Sequence, residues 1–267
     1  MASQAPSNQL PLFYSSLEPL SSVHHQSHKM RAVESAPHLA RAHAIPITLD
    51  EFVACQRFYP IIFSTGENPV PLVLMGLNEG VNVFLDDAGK LVQEAYVPAY
   101  VRRYPFMLAR LRPDSEDLSL CFDPNSGIVG AFEEGQVLFE DGKPSEATNN
   151  ILKFCEEFEV SAQRTNNFMQ ELKELELLID GEVSIQPPGA EQPFIYRGFQ
   201  MVDEAKFREL RGDTLRKINQ SGMLAVLLAH LFSLPLIREI FAKQVAQGKG
   251  PYGPGTAPTE APVAANA

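Results

Sequence analysis

The sequence predicts an α+β fold, with an antiparallel β-rich N-terminal half followed by a helical C-terminal half. Three observations predict it. Between residues 60 and 122 the apolar side chains come in short runs, β-branched or aromatic, bounded by Gly, Asn, Asp or Pro. After Pro144 the apolar spacing changes to alternating steps of four and three, the repeat of one helix face. An apolar fraction of 45% beside 21% charged residues is ample for a buried core.

The 267 residues divide into three stretches. Residues 1–44 form an extended N-terminal arm, polar and carrying five of the six histidines. Residues 45–246 form the α+β body, β-rich over 45–143 and helical over 144–246. Residues 247–267 are rich in Pro, Gly and Ala, bury too little apolar surface to offset ordering, and are predicted to be disordered.

Within the body, Thr48 and Glu51 have capping-box spacing and open a helix that ends before Pro60. Strands are predicted at PIIFS from Pro60, PLVLMGL from Pro71, VNVFL from Val81 and LSLCF from Leu118. Hairpin turns are predicted at Asp86–Gly89 and Glu140–Gly142. Ile151, Cys155, Phe158, Ala162, Thr165, Met169 and Leu172 lie on one face of a helix running from Ser145 to about Leu178. That stripe is read as core packing, not as a coiled-coil surface. A loop over 180–193, a strand from Phe194, a helix capped by Asp203 and helices over Thr214–Gln220 and Met223–Phe241 complete the order.

A net charge of −11 and a pI near 5.0 argue against nucleic acid as a partner, since phosphate backbones need clustered Lys and Arg. The three cysteines, at 55, 121 and 155, have neither disulfide-framework nor zinc spacing and suit a reducing compartment. The N-terminus lacks the basic start and continuous apolar core of a signal peptide, which predicts a cytoplasmic protein. The longest apolar run, Met223 to Ile237, has 15 residues. As a helix it reaches about 22 Å, short of the roughly 30 Å hydrocarbon core, so no transmembrane segment is predicted.

Candidate chemistry is sparse. His24, His25 and His28 have helical metal spacing, but the arm lacks a helical period and a nearby third ligand. His230 is read as a core histidine with one partner. Cys121 and Cys155 lie in apolar runs, where thiols are inert. Gly248–Gly253 spells GxGxxG without the strand and helix that motif needs. The clusters Asp86–Asp87 and Asp114–Glu116–Asp117 lack EF-hand spacing. No catalytic residue, metal site or cofactor is predicted.

The chemically dense segment is YVPAYVRRYPFML, from Tyr96 to Leu108. Arg102 and Arg103 offer paired donors for carboxylate or phosphate, and Tyr96, Tyr100 and Tyr104 offer stacking and hydroxyl contacts. If Pro98 opens a short helix, Tyr100, Arg103 and Tyr104 share a face. If the segment is extended, Tyr100, Arg102 and Tyr104 do. An arginine here serves either as an internal latch or as a partner-facing group.

YVPAYVRRYPF, HAIPITLDEF from His43 and FYPIIF from Phe58 resemble the bacterial SapC family. LFEDGKPS from Leu138, FEVSAQRT from Phe158, FQMVDEAKF from Phe199 and MLAVLLAHLFSL from Met223 are similar to its pattern in the same order, over about residues 15 to 240. The resemblance implies a link to a surface-layer locus and supplies no catalytic residues. It adds His43 to the candidate binding set of Tyr96, Tyr100, Arg102, Arg103 and Tyr104. The function predicted is a non-enzymatic binding or accessory protein in a surface-layer or envelope-associated pathway, with a protein partner or a small anionic ligand. The alternative is a small-molecule enzyme, or an enzyme partner, with an anion-binding Tyr/Arg pocket.

Overall fold

The computed structural model describes residues 10–33, 35–86, 88–91, 95–112, 117–186 and 191–250. Asp87, the acidic residues at 114 and 116, and the predicted disordered stretch after Gly250 lie outside the described residues.

The fold is α+β, with antiparallel sheets mostly in the N-terminal half and helices in the C-terminal half. The chain runs β1 (Ala44–Pro46), α1 (Phe52–Cys55), β2 (Ile61–Phe63), β3 (Pro71–Leu74), α2 (Ala99–Arg102), β4 (Phe106–Arg110) and β5 (Leu118–Phe122). It continues through α3 (Glu146–Glu174), β6 (Leu178–Ile185), β7 (Phe194–Val202), α4 (Glu204–Arg208), α5 (Gly212–Gln220), α6 (Met223–Ser233) and α7 (Leu236–Ala246). A five-stranded sheet has the order β6-β7-β2-β3-β1. A second sheet sets β5 between β4 and the arm residues Glu18–Pro19.

Two expectations need correction. The loop predicted over 180–193 is strand as far as Ile185, because Leu178–Ile185 pairs with Phe194–Val202. A register shift between Gly181 and Val183 breaks the alternation that would have marked it. Gly181 is required there by close approach: a Cβ would lie 2.1 Å from the Phe199 ring. The helical half thus donates two strands to the N-terminal sheet. Conversely, VNVFL forms no strand. Val83, Phe84 and Leu85 are buried as irregular chain, and Leu85 bridges Leu91 across the predicted turn. The Asn82 side chain holds this stretch, donating to the Leu39 and Ala42 carbonyls and accepting from the Phe84 N–H.

The helix α3 runs unbroken, with the Ser145 hydroxyl capping it by accepting the Thr148 N–H at 3.2 Å. Its C-terminal half sends Phe168, Met169 and Leu172 into the main core. Its N-terminal half covers a smaller core of Phe106, Leu108, Phe122, Val129, Leu138, Phe139 and Cys155. Thr165 accepts the Leu49 N–H at 2.8 Å, tying the helix to the capping-box turn.

Met223–Ala246 is 24 residues and holds an 18-residue window with a mean hydropathy of 1.8, long and apolar enough to cross a membrane by length and composition. The single helix predicted over Met223–Phe241 is instead two, α6 and α7, and the second runs on to Ala246. Leu234 and Pro235 separate α6 from α7. Three polar side chains on this pair are fully buried: His230, Ser233 and Gln244. Gln244 accepts the Leu77 N–H at 2.5 Å.

His230 has two partners where one was predicted. Strands β2 and β7 pair at Gln200↔Phe63, and beyond that point the imidazole bridges them. Its Nε2 accepts the Val202 N–H at 3.0 Å, which leaves the proton on Nδ1 for the Ile61 carbonyl at 2.8 Å. Ser233, one helical turn on, accepts the Ile61 N–H at 2.8 Å. Burial lowers the His230 pKa to about 4, against the favourable hydrogen bond to Ile61. The unfolded imidazole, near 6.5, therefore takes a proton before the folded one does. Stability from the neutral ring is full above pH about 6.5 and falls, by roughly 3 kcal/mol, as pH drops to about 4. His230→Gln should be less stable at neutral pH and should show a flatter decline across that window, measured by urea unfolding at several pH values.

Candidate functional site

The segment from Tyr96 to Leu108 holds a short helix, Ala99–Arg102, so Tyr100, Arg103 and Tyr104 follow the helical spacing. Pro98 precedes Ala99–Arg102, and the Ala99 N–H donates to Glu51 Oε1 at 2.6 Å. Glu51 is buried, at 4% exposure, and its other oxygen accepts the Thr48 N–H at 2.8 Å and the Thr48 hydroxyl at 2.9 Å. The Tyr96 hydroxyl also donates to Glu51 Oε1, at 3.2 Å. Burial first, and then the Glu51 charge, push the Tyr96 phenol up to about 12.

One turn of helix sends the two arginines to different places. Arg103 is buried at 7% exposure, with its guanidinium 4.5 Å from the Tyr100 ring centroid and 4.1 Å from that of Phe158. Its Nη1 lies 3.6 Å from Glu159 Oε1, and its Nε is buried without a hydrogen-bond partner among the described residues. Burial raises the Glu159 pKa above its ordinary value, with the Arg103 charge opposing. Arg102 is exposed, donating from Nε to the Val97 carbonyl at 3.1 Å and from Nη2 to the Tyr96 hydroxyl at 3.0 Å. It sits 5.1 Å from the Phe154 ring centroid. Among the described residues it has no carboxylate partner.

Tyr100 and Tyr104 face the arm. Phe13 lies 5.9 Å from Tyr100 and 6.1 Å from Tyr104 between ring centroids, and Tyr14 lies 5.3 Å from Tyr104. The Tyr14 hydroxyl donates to the Phe106 carbonyl at 2.7 Å, and that of Tyr100 to the Leu12 carbonyl at 3.1 Å. Burial drives the Tyr14 phenol well above its ordinary pKa. The arm is held further by Asp123, which accepts the Ser15 N–H at 2.6 Å.

A cleft of about 760 Å³ opens where Arg102, Arg103 and Tyr104 meet the first turns of α3 and the hairpin around Glu140. Phe106, Ile151, Phe154 and Cys155 supply its apolar lining. Glu140 and Glu146 supply acid, and Gln136 and Asn150 supply amides. Burial pushes the Cys155 thiol up to about 11. Of the predicted set, Arg102, Arg103 and Tyr104 line this cleft. Tyr96 supports it through Arg102, and Tyr100 through Arg103. His43 does not line it; its backbone carbonyl accepts the Met75 N–H at 2.7 Å, beside the start of β1.

Sequence reasoning missed Glu51 as the hub, Phe158 and Glu159 as the surroundings of Arg103, and the α3 residues of the cleft. The spacing of Phe154 and Phe158, one turn apart beside the acidic pair at 156 and 157, was a usable signal. The HHQSH histidines form no ligand set. His25 accepts the Ser21 N–H at 3.0 Å and meets Glu18 at 3.0 Å, and among the described residues no His, Cys, Asp or Glu group is arranged to hold a metal.

Fold and cleft define an α+β protein in which one long helix closes a second small core and borders a cleft with arginines at its edge. The family model for SapC matches residues 20–240, and the chain belongs to the SapC family. Searches of curated proteins and of solved structures returned no match.

Three single variants separate structural from exposed roles by thermal or urea unfolding. Glu51→Ala strands four donors, and Arg103→Ala strands Glu159 and empties the space between two rings. Each is expected to cost about 2–4 kcal/mol. Arg102→Ala loses an exposed side chain and is expected to cost less than about 1 kcal/mol.

Proposed function

We propose that this SapC-family chain is a non-enzymatic binding or accessory protein in a bacterial surface-layer or envelope-associated pathway, acting from the cytoplasmic side. Its binding surface is the cleft beside α3. The carrying observation is the Arg102 guanidinium, exposed at that cleft without a carboxylate partner among the described residues, next to a buried arginine with an unpartnered Nε. A cation left uncompensated by its own fold suits an anionic group brought by a partner. The raised Cys155 thiol is a poor nucleophile, in keeping with binding over chemistry. Three buried free thiols suit a reducing compartment.

In this reading α6 and α7 are core helices and not a span, since His230, Ser233 and Gln244 use their polar atoms on the sheet and its connections. A second reading is an enzyme, or an enzyme partner, that takes a small anion in the same place. The concavity of the cleft favours it, because its volume falls among those of small-molecule sites.

Tagged wild-type chain, recovered from native cells without detergent, should enrich a partner that Arg102→Ala fails to capture while keeping its melting temperature. Equal recovery by both chains would remove the cleft from the proposal. Retention of the chain in alkaline-washed membranes would remove the core-helix reading.

A further inference from the structure

The cleft carries opposite charges at its two ends. On α3, Glu146, Asn150 and Phe154 follow one another at intervals of four and form one ridge along the cleft. Arg102 rests against Phe154 at the far end of that ridge. Glu146 stands at the near end, with Glu140 of the hairpin beside the same cleft. At a rise of about 1.5 Å per residue, the acidic and basic ends are separated by about 12 Å along the helix. Neither Glu140 nor Glu146 forms an ion pair among the described residues, although Lys143 stands opposite Glu140 in the hairpin register. Arg103 lines the cleft beside Arg102 and is more than nine-tenths buried, and its buried Nε has no hydrogen-bond partner among the described residues. Between the charged ends lie apolar side chains, Phe106, Ile151 and Phe154, with the amides of Gln136 and Asn150 within the same lining.

Such a cleft matches a molecule with an anion and a cation at opposite ends, apolar groups between them, and a backbone that uses amide partners. An extended peptide advances about 3.3–3.6 Å per residue, so about 12 Å is the span of three or four residues. A carboxylate matches the planar donor fork of an arginine, and an ammonium matches a pair of carboxylates. Resting on the binding reading of this cleft, we propose that it captures a short extended peptide by its two free ends. The C-terminal carboxylate lies at Arg102, and the N-terminal ammonium lies at Glu140 and Glu146.

The test is calorimetric titration of the full chain with the tetrapeptide Leu-Ala-Ala-Leu in three forms: free-ended, amidated at the C-terminus and acetylated at the N-terminus. The free-ended peptide should bind, and each blocked form should bind at least about tenfold more weakly. In Arg102→Ala the free acid and the amide should bind alike. In Glu146→Gln combined with Glu140→Gln the free and acetylated amines should bind alike, with melting temperatures near wild type in both variants. Equal binding of all three forms by the wild-type chain overturns the end-capture proposal. So does a lack of binding by free-ended di- to hexapeptides. If Arg102-dependent capture of a cellular partner persists in either case, the binding reading survives the loss of the peptide proposal. If that capture is also absent, both fall.

Discussion

Everything at the cleft depends on the buried carboxylate of Glu51. A carboxylate removed from water needs its lone pairs filled, and this one receives donors from Thr48, Tyr96 and Ala99. Those donors come from two distant stretches of chain. One is the turn before α1, and the other is the turn entering α2. The carboxylate therefore caps two helical turns at once and fixes the angle at which the Tyr/Arg segment leaves the core. Through the Tyr96 hydroxyl it also reaches Arg102, whose guanidinium donates to the same oxygen that donates to Glu51. A helix as short as α2 has little stability of its own, so its position is borrowed from this contact and from the aromatic packing around it.

The aromatic packing explains why one segment holds so many rings. The arm residues Phe13 and Tyr14 lie across Tyr100 and Tyr104, and Phe13 adopts a positive φ of 79° to do so. Such a backbone angle is costly for a side chain that is not glycine, and the ring contacts and the Tyr14 and Tyr100 hydroxyl bonds hold it in place. Tyr100 then has two faces in use, one toward the arm and one toward Arg103. The arm is a packed cover for the segment, and the part of the segment left uncovered is the side that carries Arg102.

The fold was legible where a pattern depends on local geometry. The four–three spacing from Ile151 to Leu172 marked α3, and the Thr48–Glu51 spacing marked the capping turn that leads into α1. It was illegible where long-range pairing decides. Leu178–Ile185 reads as loop because Asp180, Gly181 and Glu182 break its apolar alternation, and only pairing with Phe194–Val202 makes it a strand. VNVFL reads as strand, but Asn82 ties the chain back to the arm. At the cleft, the Tyr/Arg segment could be found from composition, whereas Glu140, Glu146 and Asn150 are ordinary polar residues until the hairpin folds against the start of α3. His230 shows the same limit from the other side: a polar residue in an apolar helix signals a partner, but not that the partners are two separate strands.

The contrast between Arg102 and Arg103 follows from how a buried cation is stabilised. The ion pair of Arg103 with Glu159 is long, at 3.6 Å, and does not reach hydrogen-bond distance. Burial raises the Glu159 pKa although the guanidinium pulls it down, so desolvation outweighs the attraction at that carboxyl. The remaining support for the cation is the pair of ring faces from Tyr100 and Phe158. A planar, weakly hydrated guanidinium can lie against both, whereas a compact ammonium would keep a stronger demand for water. Arg103 is thus held by aromatic surface more than by its counter-charge, and its unpartnered Nε marks where that arrangement is incomplete. Arg102, one residue earlier and on the outer side of the same turn, escapes desolvation and keeps its charge available. Adjacent arginines with opposite surroundings give the segment a fixed interior anchor and an exterior cation whose position the anchor sets.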